Sequence, residues 1–212
     1  MKSKRLSESG EAGFARSLDG FYQKPRVDWE LLSSTMSLIC LSGCLAGEVA
    51  QKLTGDDYAG AKETALRYRT LFGAENYFLE IQNHQIRDEL RNLPQLIRLS
   101  RETGIPLAAT NDAHYIRRED AAMQEVLLCI QTGKSLDDPE HMHFETNEFY
   151  LKSTAEMAAL FADVPEAVTN TAKIAERCHV EFQTGKIWLP SSPWTACRTA
   201  ESCFAAVAGT AV

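Results

Sequence analysis

The chain has 212 residues, 44% of them hydrophobic and 24% charged, with a formal net charge of −7. That balance fits a globular chain of one large domain, or one domain plus a further segment, and no apolar run approaches the roughly 20 residues that would cross a membrane. The acidic charge argues against a surface built to grip nucleic-acid phosphates, the basic start lacks the apolar core of a secretory signal, and six cysteines without paired spacing argue against a disulfide scaffold, so a cytoplasmic setting is expected.

Met1 to Ser17 is rich in Ser, Gly, Lys and Glu without a period and reads as a disordered or foreign start. Asp28 to Leu32 reads as a short capped helix. Leu38 to Leu41 is a strand candidate ended by Ser42-Gly43-Cys44, and Leu45 to Leu53 opens a helix. Asp56 to Phe72 is a helix, because Tyr58, Ala61, Ala65, Tyr68 and Leu71 recur near its period. Tyr77 to Gln82 alternates, is rich in strand formers and ends in Asn83-His84. Leu90 to Thr103 is a helix stopped by Gly104 and Pro106, and Pro106 to Thr110 is the next strand. Arg118 to Thr132 is a helix with Ala122, Val126, Cys129 and Ile130 on one side, and its Leu127-to-Ile130 run is expected in the core. After Gly133, Asp137-Asp138-Pro139 is a turn and Phe149 to Lys152 is extended. Ser153 caps a helix with Glu156 three residues on, and Pro165 to Cys178 is a last helix with proline in its first turn. There is no internal repeat.

Strands and helices alternate from about Leu38 to Thr132, which predicts a parallel α/β sheet or barrel with its working groups at the strand C-termini. Those ends carry Cys44, His84, and Asp112 with His114. If the backbone stays extended, Asp112 and His114 point to one side, where a carboxylate and an imidazole can hold a divalent cation. An aspartate capping the next helix beside a surface histidine fits the same residues. A buried thiol beside Gly43 would explain Cys44 equally. Glu80 and His84 read as hydrogen-bonded rim residues, and His141 and His143 as exposed loop residues. Lys24, Arg26, Arg117 and Arg118 read as solvated charges.

Several stretches carry a family resemblance. They are Gly20-Phe-Tyr-Gln-Lys-Pro-Arg-Val-Asp-Trp29, Leu41-Ser-Gly-Cys-Leu-Ala-Gly-Glu-Val-Ala50, Glu80-Ile-Gln-Asn-His84, Thr110-Asn-Asp-Ala-His-Tyr115, Val126-Leu-Leu-Cys-Ile-Gln-Thr-Gly-Lys134 and Glu148-Phe-Tyr-Leu-Lys-Ser153. In this order they closely resemble the bacterial replicative DNA polymerase III alpha subunit, in its N-terminal polymerase-and-histidinol-phosphatase (PHP) domain, from about Leu18 to Pro190. The resemblance implies a distorted β/α barrel with a metal cluster at the strand C-termini, built on divalent Zn, Mn or Mg. Cys44, Asp112 and His114 match ligand positions, with Glu80 and His84 on the rim. It also implies DNA, the sliding clamp and other replicase subunits as partners of the intact subunit, a DNA-directed DNA polymerase.

Two departures shape the expectation for this chain. The family's opening His-x-His is missing, and no histidine precedes His84. The paired palm aspartates for two-metal nucleotidyl transfer are expected beyond Val212. The expected organisation is therefore a start at 1–17 outside the family, a partial PHP domain at 18–150, a helical segment leading toward the palm at 151–190, and an off-family tail at 191–212. Back-translation of both ends permits family-like text in neighbouring frames, which suggests a frame-disrupted gene. No catalytic residue is assigned. The expected protein is a truncated polymerase piece without activity of its own, binding nucleic acid poorly and metal only weakly. A barrel lacking its opening strands leaves unpaired edges and predicts poor solubility. The competing readings are a stand-alone phosphoesterase of the histidinol phosphatase type, possessing metal-dependent activity on small molecules, and a remnant that binds nothing.

Overall fold

A parallel sheet buried on both faces needs strands that are apolar throughout, and Tyr77-Phe78-Leu79-Glu80-Ile81 meets that need with one polar exception. In a computed structural model of the chain, the described residues are 21–22, 24–25, 29–33, 38–179, 181 and 184–185. The expectations for 1–17 and 191–212 fall outside them. The chain divides into two units, Met1–Thr35 with Val180–Val212, and Met36–His179. In the first, β1 (Phe21–Tyr22) pairs antiparallel with β2 (Lys24–Pro25), and helix α1 (Trp29–Ser33) follows.

The second unit holds the sheet. Its elements are β3 (Cys40–Leu41), α2 (Glu48–Thr54), α3 (Tyr58–Phe72), β4 (Tyr77–Ile81), α4 (Arg87–Thr103), β5 (Leu107–Ala109), a 3-10 turn (Arg118–Asp120), α5 (Ala121–Thr132), α6 (Thr154–Leu160) and α7 (Pro165–Arg177). The strands run parallel in the order β3-β4-β5, with Cys40 opposite Tyr77 and Leu79 opposite Leu107. The result is a mixed α/β architecture. No helix among the described residues is long and apolar enough to cross a membrane.

Local chemistry sets the helix ends. The Asp57 carboxylate accepts the Gly60 N–H at 2.8 Å and starts α3. Gly104, at φ 68°, closes α4 in the left-handed conformation, and its N–H donates to the Ser100 carbonyl. The α4 helix begins a turn before the expected Leu90, at Arg87, with Asp88 and Glu89 in its first turn where the helix dipole favours them. The core gathers Val49 and Leu53 of α2, Ala61 and Ala65 of α3, Leu79 and Ile81 of β4, Leu96 and Leu99 of α4, Leu107 of β5, Phe161 and Val164 from the turn between α6 and α7, and Ala167 of α7.

One core expectation is corrected. In the Leu127-to-Ile130 run only Leu128 and Cys129 are buried, while Leu127 is 56% and Ile130 71% exposed. Adjacent helical residues lie 100° apart, so a four-residue apolar run faces both inward and outward unless the helix is enclosed. The principal described packing partner of α5 is the 3-10 turn before it.

Candidate functional site

Parallel strands place their C-terminal loops at one rim, and the side chains there are knitted together. The Glu80 backbone N–H donates to Ser42 Oγ at 2.9 Å, which ties β4 to the Ser42-Gly43-Cys44 turn. The Glu80 carboxylate accepts from Gln82 Nε2 at 3.2 Å and from the Thr110 hydroxyl. Gln82 Nε2 also donates to Thr110 Oγ1 at 2.9 Å. Glu80 thus links the loops after β3 and β5 by hydrogen bonds.

Asp112 does not keep the extended backbone assumed for it. Its φ is +44°, so the chain turns back within the motif. The His114 imidazole comes round to its neighbour, with Nδ1 at 2.9 Å from the Asp112 carbonyl oxygen and 3.8 Å from its carboxylate. A carbonyl can only accept, so Nδ1 carries a proton, and whenever the ring is neutral Nε2 carries the lone pair. That is the tautomer a metal-bound histidine adopts when its other nitrogen donates to a carbonyl. The two side chains are 43% (Asp112) and 35% (His114) exposed. The His114 backbone N–H donates to the Phe149 carbonyl at 2.8 Å, and its ring sits against Phe144 and Phe149.

Beneath this pair lies His84, 1% exposed and stacked on Phe149 with ring centres 4.2 Å apart. Its Nδ1 meets Glu89 Oε1 at 2.9 Å and its Nε2 donates to the Asn111 carbonyl at 2.7 Å. Burial pulls the His84 pKa down, but the bonds to Glu89 and Asn111 outweigh it and the net direction is upward. Lys152, also buried, donates to Asn111 Oδ1 at 3.3 Å and to the Glu148 carbonyl. Burial is the main cause of its lowered pKa. Asn111 Nδ2 donates to the Tyr150 carbonyl at 2.9 Å.

The structure therefore brings Asp112 and His114 together after β5, and places Cys44, exposed, on the loop after β3, with β4 between the two strands. Among the described residues, no group of three or more His, Cys, Asp or Glu side chains is arranged to hold a metal ion. The donors present fit part of a coordination shell and fall short of the three or four protein ligands of zinc sites. His141, expected in an exposed loop, instead has Nε2 at 2.7 Å from Glu125 Oε1 and is mostly covered, whereas His143 is exposed. The sequence reading missed Glu89, Asn111 and Lys152. Asn111 lies inside the quoted Thr110–Tyr115 motif, but nothing in the sequence marks Lys152 as buried.

A PHP domain family model matches residues 4–84, starting ahead of the expected Leu18 boundary. Among the most similar curated relatives is the DNA polymerase III subunit alpha of Treponema pallidum, 49% identical over 166 residues, which cover 78% of this chain and 14% of that protein. The subunit alpha of Campylobacter jejuni is 41% identical over 189 residues, covering 84% of this chain and 16% of the relative. That of Thermus aquaticus is 40% identical over 172 residues, covering 79% and 14%. The chain thus spans only a small part of the length of these relatives. Over the matched residues it is homologous to the N-terminal region of the DNA polymerase III alpha subunit, which carries the PHP domain.

Proposed function

We propose that the chain is part of a replicative DNA polymerase subunit, with residues 18–150 forming a partial PHP-type β/α barrel and 151–190 a helical segment leading toward the polymerase palm. In this reading DNA, the sliding clamp and other replicase subunits are partners of the whole cytoplasmic subunit. The rim supplies part of a divalent-metal site, with Cys44, Asp112 and His114 as ligands and Glu80 and His84 supporting them. The observation that carries the site is the pairing of the Asp112 carboxylate with a His114 imidazole whose Nδ1 is committed to a carbonyl. Bound there, Zn, Mn or Mg would supply a Lewis acid and an activated water for phosphodiester cleavage. Asp112 and His114 would hold it, and the Asp112 carbonyl on Nδ1 and the Phe144 ring would orient the imidazole.

With a partial donor set, the isolated chain is expected to bind metal weakly and to cleave nothing. A 3′–5′ exonuclease role belongs to a chain with the full ligand set. Calorimetric titration with Mn²⁺ and Zn²⁺ tests the site. Wild-type chain takes up metal, and Asp112→Ala and His114→Ala each lose it. Equal uptake by all three would refute the assignment. Hydrolysis of a small phosphomonoester, abolished in His114→Ala, would favour the small-molecule phosphatase reading, which relatives named as polymerase subunits do not favour.

A further inference from the structure

Asp112 is one of three non-glycine residues with positive φ among the described residues, at +44°. A side chain is disfavoured there, and such a conformation persists only where the surroundings over-determine it. The surroundings of Asp112 form a closed circuit. His84 Nε2 donates to the Asn111 carbonyl at 2.7 Å, which fixes the peptide entering Asp112. The Asn111 side chain is fixed independently, by Lys152 at 3.3 Å and by the Tyr150 carbonyl at 2.9 Å. Two residues on, the His114 N–H donates to the Phe149 carbonyl at 2.8 Å. The Phe149 ring then stacks on His84, the rings 4° from parallel, and closes the circuit. His84 itself cannot drift. Glu89 receives its Nδ1 and, through Oε2, its backbone N–H at 2.7 Å, and the Thr146 hydroxyl donates to its carbonyl at 2.7 Å.

We propose that His84, acting through Asn111, is the positioning residue that holds Asp112 in the left-handed conformation and so sets the Asp112–His114 pair. The purpose of that geometry rests on the metal-site reading above. The conformational claim does not.

Glycine and alanine at position 112 report the backbone directly. Both lack the carboxylate, so they differ only in their tolerance of positive φ and in chain entropy. At an ordinary position alanine gives the more stable protein, and at a left-handed one glycine does. In the full chain, Asp112→Gly is expected to have a severalfold smaller unfolding constant than Asp112→Ala in urea titrations. In a His84→Phe background, which keeps a ring on Phe149 but removes both side-chain hydrogen bonds, the order is expected to reverse. If His84→Phe does not fold, Asn111→Ala and Lys152→Met loosen the same peptide from its other side and are expected to shrink the glycine advantage. An unchanged glycine advantage in every folded background would overturn the proposal. So would an alanine advantage in the otherwise wild-type chain. A Mn²⁺ titration of His84→Phe with Asp112 and His114 intact gives the functional arm, with weaker binding than wild type expected. Absence of Mn²⁺ uptake by the wild-type chain refutes the site reading while leaving the glycine–alanine reversal as the measure of the positioning claim.

Discussion

The Asn170 side-chain amide donates to the Leu107 carbonyl at 2.8 Å, which fastens helix α7 to strand β5 by a hydrogen bond inside the core. On its other side, β5 pairs with β4. Asn170→Ala leaves a buried strand carbonyl without its donor, and such a loss costs about 1–3 kcal/mol. Urea unfolding should show that decrease with an unchanged m-value, since the surface exposed on unfolding stays the same. Asn170→Asp should do at least equal damage, because a carboxylate oxygen would face the carbonyl.

Two histidines give the fold a pH dependence of known sign. His84 lies against Glu89 and Asn111, with the Lys152 ammonium opposing its charge, and His141 lies against Glu125 and Asp138. Both folded pKa values are raised above the ordinary 6.5. A raised folded pKa means that the folded state holds its proton more tightly than the unfolded chain. The stabilisation is therefore complete below pH 6.5 and is lost as pH rises through the folded value. Urea midpoints measured from pH 5.5 to pH 8.5 should fall with rising pH. The fall should be smaller in His141→Gln, which removes one of the two titrating groups.

The alternation of strands and helices was legible because apolar period and turn residues are local signals. The strands β4 and β5 and the helices α3 and α7 lie within a few residues of their expected places. The shared rim followed from parallel order alone. What escaped was set by contacts distant in sequence. The left-handed turn at Asp112 depends on His84 and Phe149, which lie 28 and 37 positions away. Burial of Lys152 depends on Asn111 and Glu148 accepting its ammonium protons, and residue type argues against it. The exposed half of the α5 apolar run was misread because local apolarity does not say whether a second element covers a helix.

The start of α6 offers a local test. Ser153 Oγ accepts the Glu156 N–H at 3.3 Å, and the Glu156 carboxylate accepts the Ser153 N–H at 2.8 Å, a reciprocal cap. The bonds from the Tyr150 hydroxyl and from Ser153 hold the Glu156 pKa down at about 2. Ser153→Ala should cost about 1 kcal/mol, the usual loss for such a cap. Ser153→Thr, which keeps the hydroxyl that both accepts and donates in the cap, should recover most of it. Because the folded Glu156 pKa is depressed, the contribution of this carboxylate is present above its ordinary 4.5 and lost as pH falls toward about 2. The Ser153→Ala penalty is accordingly expected to shrink in acid, as read from thermal melts at pH 7 and pH 3.

Helix α5 carries Met123, Leu127 and Ile130 on one face, at spacings of four and three residues, and they are 65%, 56% and 71% exposed. Ile116 and Leu151, also exposed, are brought together where the Leu151 N–H donates to the Ile116 carbonyl at 3.3 Å. A contiguous apolar stripe of this kind drives association in water. Sedimentation velocity on the chain should show association that grows with concentration. Replacing Leu127 with Gln and Ile130 with Lys should reduce it and lower binding of a hydrophobic dye. These side chains bury little in the folded chain, so the melting midpoint should shift only slightly. A large drop in the midpoint would instead mean that the stripe is covered within the folded chain, and association unaffected by the substitutions would place the sticky surface elsewhere.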